Sequence, residues 1–147
     1  MALIENRKAY FDYEILEKFE AGLELRGFEA KALKNGRGSL AGSRVIIRGG
    51  EAYVVGMDIP AYQPGNAPAD YDSQRNRRLL LNKKEILYLA AKSQQAGLTL
   101  APLSVYNKKG FLKLSFGVCR GLKKYDKRER LKEKEARRKI AREIKRG

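Results

Sequence analysis

The chain contains no histidine and no tryptophan, a single cysteine, Cys119, and only four prolines. Without histidine a zinc site of the ordinary Cys/His type cannot be assembled, and the pairs that activate serine or cysteine nucleophiles are missing too. Proton transfer near neutral pH would fall to Glu, Asp, Lys or Tyr, which argues against an enzyme. The lone cysteine excludes an intramolecular disulfide. No apolar run approaches the roughly 18 residues that span a bilayer, and Met1 to Ile4 is too short for the apolar core of a signal peptide. The expectation is a cytosolic protein of bacterial type, with no membrane partner, no metal and no cofactor.

What the chain does have is positive charge. Lys and Arg number 32 against 17 Asp and Glu, a net charge of +15, which points to an anionic polymer or an anionic surface as partner. The excess is uneven. Residues 120–147 hold 14 basic and 5 acidic side chains, or +9, which leaves +6 for residues 1–119. The 147 residues suit one domain with a genuine core. We divide them into an arm over 1–12, a folded body over 13–119 and a basic tail over 120–147.

Residues 1–12 show no period and read as a loose arm. From Tyr13 to Leu25 apolar residues alternate with Glu14, Lys18, Glu20 and Glu24, the pattern of a half-buried strand. Gly27 to Gly36 reads as a short helix stopped by Asn35-Gly36. Val45 to Arg48 and Glu51 to Met57 flank Gly49-Gly50, a pair able to take the positive φ of a tight hairpin turn. Residues 58–74, with three prolines, read as a long surface loop. Gln74 to Leu81 reads as a short helix, basic and then apolar. Asn82 and Glu85 have capping-box spacing ahead of a helix whose core stripe is Ile86, Leu89 and Ala90, ended by Gly97. Two further strands meet at Asn107-Lys-Lys-Gly110, with Pro102 placed at an edge or bulge. These elements predict a mainly β protein with short helices: a small antiparallel barrel.

After Arg120 apolar residues are too sparse to offset the ordering entropy of the tail, so it is expected to be disordered when free. The i,i+4 pairs Glu133–Arg137 and Glu135–Lys139 favour a helix from about Glu129 on a neutralising surface. Arg137, Arg138 and Lys139 would face that surface.

Several stretches have two readings. Gly36-Arg-Gly-Ser-Leu-Ala41 matches a dinucleotide fingerprint as a string, but a helix precedes it and a strand follows, so it reads as a turn. Arg75, Arg77 and Arg78 ahead of Leu79-Leu80-Leu81 are either the solvated side of an ordinary helix or phosphate ligands beside an exposed leucine. Lys83, Lys123 and Lys124 join them as candidate phosphate ligands. Glu20 is either a solvated carboxylate or an acceptor for guanine N1 and N2 or cytosine N4. Tyr10 and Tyr13 are either core or base-stacking residues. Tyr125-Asp-Lys-Arg128 places a ring and an acid inside a basic run, more than an electrostatic anchor needs.

Four motifs, Phe19-Glu-Ala-Gly22, Arg78-Leu-Leu-Leu-Asn82, Gly97-Leu-Thr-Leu-Ala-Pro-Leu103 and Gly121-Leu-Lys-Lys-Tyr-Asp-Lys-Arg128, together resemble the small protein B family, bacterial partners of transfer-messenger RNA (tmRNA). The resemblance runs in register from about Asn6 into the tail. It implies an OB-like antiparallel barrel that binds the tRNA-like part of tmRNA. With alanyl-tmRNA and elongation factor Tu, that RNA would be brought to stalled ribosomes for trans-translation. The tail would enter the decoding centre and the mRNA channel. By matching position, Tyr13, Glu20, Leu80 and Asn82 correspond to RNA-binding residues, and Asp126, Lys127 and Arg128 to the tail motif used on the ribosome. Leu122 stands where the family commonly has lysine, and Ser39 where asparagine is frequent. The competing expectations are a general ribosome-associated RNA-binding protein or RNA chaperone, motivated by the basic tail alone, and an RNA-acting enzyme using Glu20 with a lysine.

Overall fold

The long alternating strand anticipated near the start of the body is the spine of the fold. In a computed structural model describing residues 2–146 apart from Pro64 and Asn66, it is β2, Tyr13–Leu23. Glu14, Leu16, Lys18 and Glu20 face solvent, while the opposite parity descends into the core at Ala21 and Leu23. The other elements, in chain order, are β1 (Ala2–Glu5), α1 (Arg7–Asp12), α2 (Gly27–Lys34), β3 (Arg44–Arg48), β4 (Glu51–Val55), β5 (Arg77–Leu80), α3 (Lys83–Ser93), β6 (Leu98–Lys108), β7 (Phe111–Gly121) and α4 (Lys124–Arg146).

The strands form one antiparallel seven-stranded sheet in the order β1-β6-β7-β2-β5-β4-β3. It curls so that β3 comes to lie beside the first part of β6 across a shallow cleft, in which Val45 and Ile47 stand near Leu98 and Leu100. The barrel is thus OB-like in shape but not closed by hydrogen bonds between its edges. Phe116, Leu114, Leu100, Val105, Leu79, Val54 and Leu33 fill the interior. Phe19 stacks on Phe116 at 5.7 Å between centroids. The register of β6 on β7 shifts between Pro102 and Ser104, the bulge that a proline without an N–H requires inside a long strand. Gly49 and Gly50 take φ of 60° and 77°, as the β3–β4 turn demands.

Three expectations are corrected. Residues 2–12 are not a loose arm. Ala2–Glu5 pairs with β6, and Asn6, only 8 % exposed, caps α1. Asn6 Oδ1 accepts from Ala9 N at 3.3 Å, its Nδ2 donates to Pro102 O at 2.9 Å, and its backbone N–H donates to Leu103 O at 2.7 Å. Elements this short carry no readable period.

The stretch around Arg77 is not a helix but strand β5, whose burial alternates Arg77 in, Arg78 out, Leu79 in, Leu80 out. A buried arginine disguised that alternation.

The tail helix starts at Lys124, ahead of the expected Glu129. Its first turns are tied to α1. Lys127 Nζ lies 3.3 Å from Asp12 Oδ1, and Arg130 Nη1 donates to the carbonyls of Tyr10 and Tyr13 at 2.9 and 2.8 Å. Of the loop expected at 58–74, Pro64 and Asn66 lie outside the described residues; the rest is irregular, and Tyr71 and Arg75 anchor it onto α2 through Glu29. No helix among the described residues is long and apolar enough to cross a membrane.

Candidate nucleic-acid interface

The sheet order brings to one face residues that the sequence scatters. On β2, Glu20 points outward, and its register partner on β7 is Ser115. On β6, Tyr106 and Lys108 share that outer parity. Tyr106 donates its phenolic hydrogen to Glu20 Oε2, and Lys108 Nζ stands 3.3 Å from Glu20 Oε1. Lys113 of β7 lies opposite Tyr106 on one side and opposite Gly22 on the other. Beyond Gly22 comes Leu80 of β5, half exposed. A β-carbon at Gly22 would lie 3.3 Å from Leu80 Cδ1, so the glycine is what lets the leucine rest across the strand.

This face has the chemistry of a base-reading surface: one carboxylate that only accepts, cations around it, an aromatic ring and an exposed apolar side chain. The hydrogen bond from Tyr106, reinforced by Lys108, holds the Glu20 carboxyl below the ordinary carboxylate range. Partial burial, and then the same hydrogen bond, push the Tyr106 phenol well above its usual value. Glu20 therefore remains an acceptor and Tyr106 a donor at every physiological pH.

The arginines anticipated as phosphate ligands separate. Arg77 is not one. It is fully buried, its Nε and Nη2 bond Glu29 Oε2 at 2.9 and 2.7 Å, and its remaining hydrogens go to carbonyls of Met57, Ser73 and Arg75. Arg75 also binds Glu29, through Nη2 to Oε1 and through Nε to Oε2 at 3.0 Å. The Tyr71 hydroxyl joins the group at 2.9 Å from Glu29 Oε2. Burial alone would raise the Glu29 carboxyl, but hydrogen bonds from Arg75, the Arg26 N–H and Arg77 bring it down to about 2. Arg78 is exposed, yet it is balanced by Glu24 at 3.2 Å and Glu51 at 2.9 Å.

Asn82 is the cap of α3. Its Oδ1 accepts from Glu85 N at 2.8 Å, and Glu85 Oε1 accepts from Asn82 N at 3.3 Å. Lys83 follows it, exposed, so cap and cation stand next to Leu80 in the chain. Tyr13 is half-buried and packs against the small cluster of Ala9, Ala101, Leu103 and Cys119, which favours its core reading. Tyr10 is more open, with Lys18 Nζ 6.0 Å from its ring.

The tail residues form a second region. Lys123 is exposed and its carbonyl accepts from Lys127 N at 3.1 Å; Lys124 opens α4, its side chain outside the described residues. Tyr125, Asp126 and Arg128 face solvent, Tyr125 at 71 % exposure, whereas Lys127 is drawn onto Asp12. Arg137 and Arg138, with Tyr10, Phe11 and Arg130, line a groove of about 550 Å³ between α1 and α4. Lys139 is solvated.

Sequence reasoning missed Tyr106, Lys108, Lys113, Asp12 and Arg130. Alternation puts Tyr106 and Lys108 on one side of their strand, but nothing in the chain says that β2 lies within reach. Among the described residues no three Cys, His, Asp or Glu side chains gather as metal ligands.

Comparison with known proteins gives the chain its relatives. The family model described as SmpB protein matches residues 3–146. Among similar curated proteins, the SsrA-binding protein of Desulfitobacterium hafniense is 47% identical over 138 residues, 94% of this chain and 88% of that one. Its counterpart in Thermosipho africanus is 46% identical over 143 residues, covering 97% and 95%. That of Bacillus cytotoxicus is 47% identical over 140 residues, covering 95% and 90%. A chain in a solved structure described as "tmRNA-SmpB: a journey to the center of the bacterial ribosome" superposes with a TM-score of 0.69 at 40% identity, covering 86% of this chain and 92% of that one.

Proposed function

The chain belongs to the SmpB protein family, and from that membership we propose that it is an RNA-binding adaptor, which binds the tRNA-like domain of tmRNA and delivers it to stalled ribosomes for trans-translation. The observation that carries the reading is the outer face on which Glu20, held ionised by Tyr106 and Lys108, stands beside Lys113 and Leu80. Lysines attract phosphate without regard to sequence, whereas a fixed carboxylate accepts from guanine or cytosine edges and a leucine packs on sugar or base. Affinity and discrimination thus come from one patch.

The second region supplies the ribosomal contact. Residues 120–147, which include helix α4, carry +9 of the net charge of +15, and the helix leaves Tyr125, Asp126 and Arg128 in solvent. That is suited to ribosomal RNA in the decoding centre and mRNA channel, where neutralisation offsets the cost of ordering. Elongation factor Tu, bound to alanyl-tmRNA, accompanies the complex. The chain performs no covalent step and works in the cytoplasm.

The test is a competition assay. Purified protein retains tmRNA from a bacterial extract and prefers it to a generic RNA duplex at equal salt. Equal affinity for the two removes the adaptor reading and leaves that of a general RNA chaperone.

A further inference from the structure

The β6–β7 hairpin turns in two residues. Lys109 at φ 51° and Gly110 at φ 85° are both in the left-handed region, the geometry of a tight primed turn whose twist matches its strands. Lys108 therefore pairs directly with Phe111, and the ladder stays in register to its last residue. Phe111, at the tip, is 70 % exposed. Among the described residues it joins no ring pair and neither hydrophobic cluster. A large ring held in water at the end of a stiff hairpin adds nothing to the core.

Its side of the sheet follows from alternation. Leu112 and Leu114 point inward, so Phe111 shares the outer parity with Lys113 and Ser115, and its partner Lys108 shares that side with Tyr106. The Glu20 face thus continues without a break to the tip, where Lys108 and Lys109 flank the exposed ring.

We propose that Phe111 is a stacking platform for an unpaired nucleotide of the RNA bound on the Glu20 face, with Lys108 and Lys109 taking the adjoining phosphates. This rests on the adaptor function proposed above and adds a subsite to it. Stacking on an aromatic ring tolerates any base but needs a free base face. A continuous duplex offers none along its length, so the tip selects loop or single-stranded nucleotides, while cations beside the ring match the phosphates on either side.

The absence of tryptophan makes the test direct, since Phe111→Trp introduces the chain's sole indole. Saturating tmRNA quenches that indole and shields it from iodide, while a blunt duplex of similar length does neither. Phe111→Leu, which keeps an apolar side chain but no ring, weakens tmRNA binding about tenfold, and Phe111→Trp stays within about twofold of the parent. Because the ring is exposed, the melting temperature of each variant is unchanged. Unaltered emission at saturation, equal quenching by duplex, or parental affinity of Phe111→Leu overturns the assignment and leaves the adaptor function standing. A parent chain with no preference for tmRNA overturns both.

Discussion

Arg77 Nη2 lies 2.7 Å from Glu29 Oε2, and neither side chain has surface open to solvent. This pair, with Arg75 and Tyr71, pins the segment before β5 to α2. The Glu29 carboxyl titrates at about 2 when folded, against an ordinary value of 4.5. A depressed carboxylate stabilises the fold fully above pH 4.5, and the contribution drains away as pH falls from 4.5 towards 2. Its size is on the order of 3 kcal/mol. Glu29→Gln at pH 7 is expected to cost about 3–5 kcal/mol, because it leaves Arg77 buried and unpaired. Urea denaturation at pH 7 and pH 3 measures both; a difference between parent and variant that fails to shrink at low pH contradicts the assignment.

Tyr106 keeps Glu20 ionised. In Tyr106→Phe the Glu20 carboxyl rises towards the ordinary range, which carbon-detected NMR titration reads directly. Affinity for tmRNA then begins to fall at a higher pH than in the parent, since protonation removes the acceptor. Glu20→Gln, with no charge to titrate, flattens that part of the profile. An identical pH profile in Tyr106→Phe and parent would show that the phenol has no hold on the carboxylate.

Gly22→Ala sets a methyl 3.3 Å from Leu80 Cδ1. The leucine has open solvent to move into, so stability changes by about 1 kcal/mol or less. RNA affinity falls, because Leu80 no longer lies flat on the face. Thermal denaturation and filter binding on the same sample separate the two effects, and a loss of stability without a loss of affinity refutes the role given to Leu80.

The two regions are expected to be separable by mutation. Glu20→Ala weakens tmRNA binding, while truncation after Gly121 leaves it largely intact and abolishes tagging on stalled ribosomes in a reconstituted translation system. The opposite pattern would reverse the division of labour.

Among the described residues the polar ties of helix α4 to the body lie near its start, in the half-buried Lys127–Asp12 pair and the Arg130 bonds to Tyr10 and Tyr13. Asp12→Asn therefore releases about 0.5 kcal/mol and speeds amide exchange over the first turns roughly twofold. Towards the end of the helix the apolar residues Ile140 and Ile144 face solvent. We expect that part to exchange as an unfolded chain does until RNA covers it, which preserves in the distal tail the disorder anticipated for all of it. Hydrogen exchange with and without ribosomes reads both.

How much was legible depended on whether a residue's neighbours in sequence were its neighbours in space. The β3–β4 turn, the Asn82–Glu85 box, the Pro102 bulge and the alternation of β2 are local, and each was readable. Arg77 was misread because charge ordinarily signals exposure, and only the fold supplies Glu29 to cancel it. Glu20 was legible as an outward carboxylate on its strand, and the family resemblance assigned it to RNA, while Tyr106 and Lys108, far from it in sequence, needed the strand order. Residues 2–12 were hidden by brevity, and α4 began early because its support comes from α1 rather than from its own side chains.

Strand β2 begins at the carbonyl that holds Arg130 and ends beyond the carboxylate at Glu20. Seven steps of pleated chain span roughly 23 Å, and β7 pairs along them on one side. The molecule therefore contains a ruler: one strand sets how far the root of the tail stands from the RNA end.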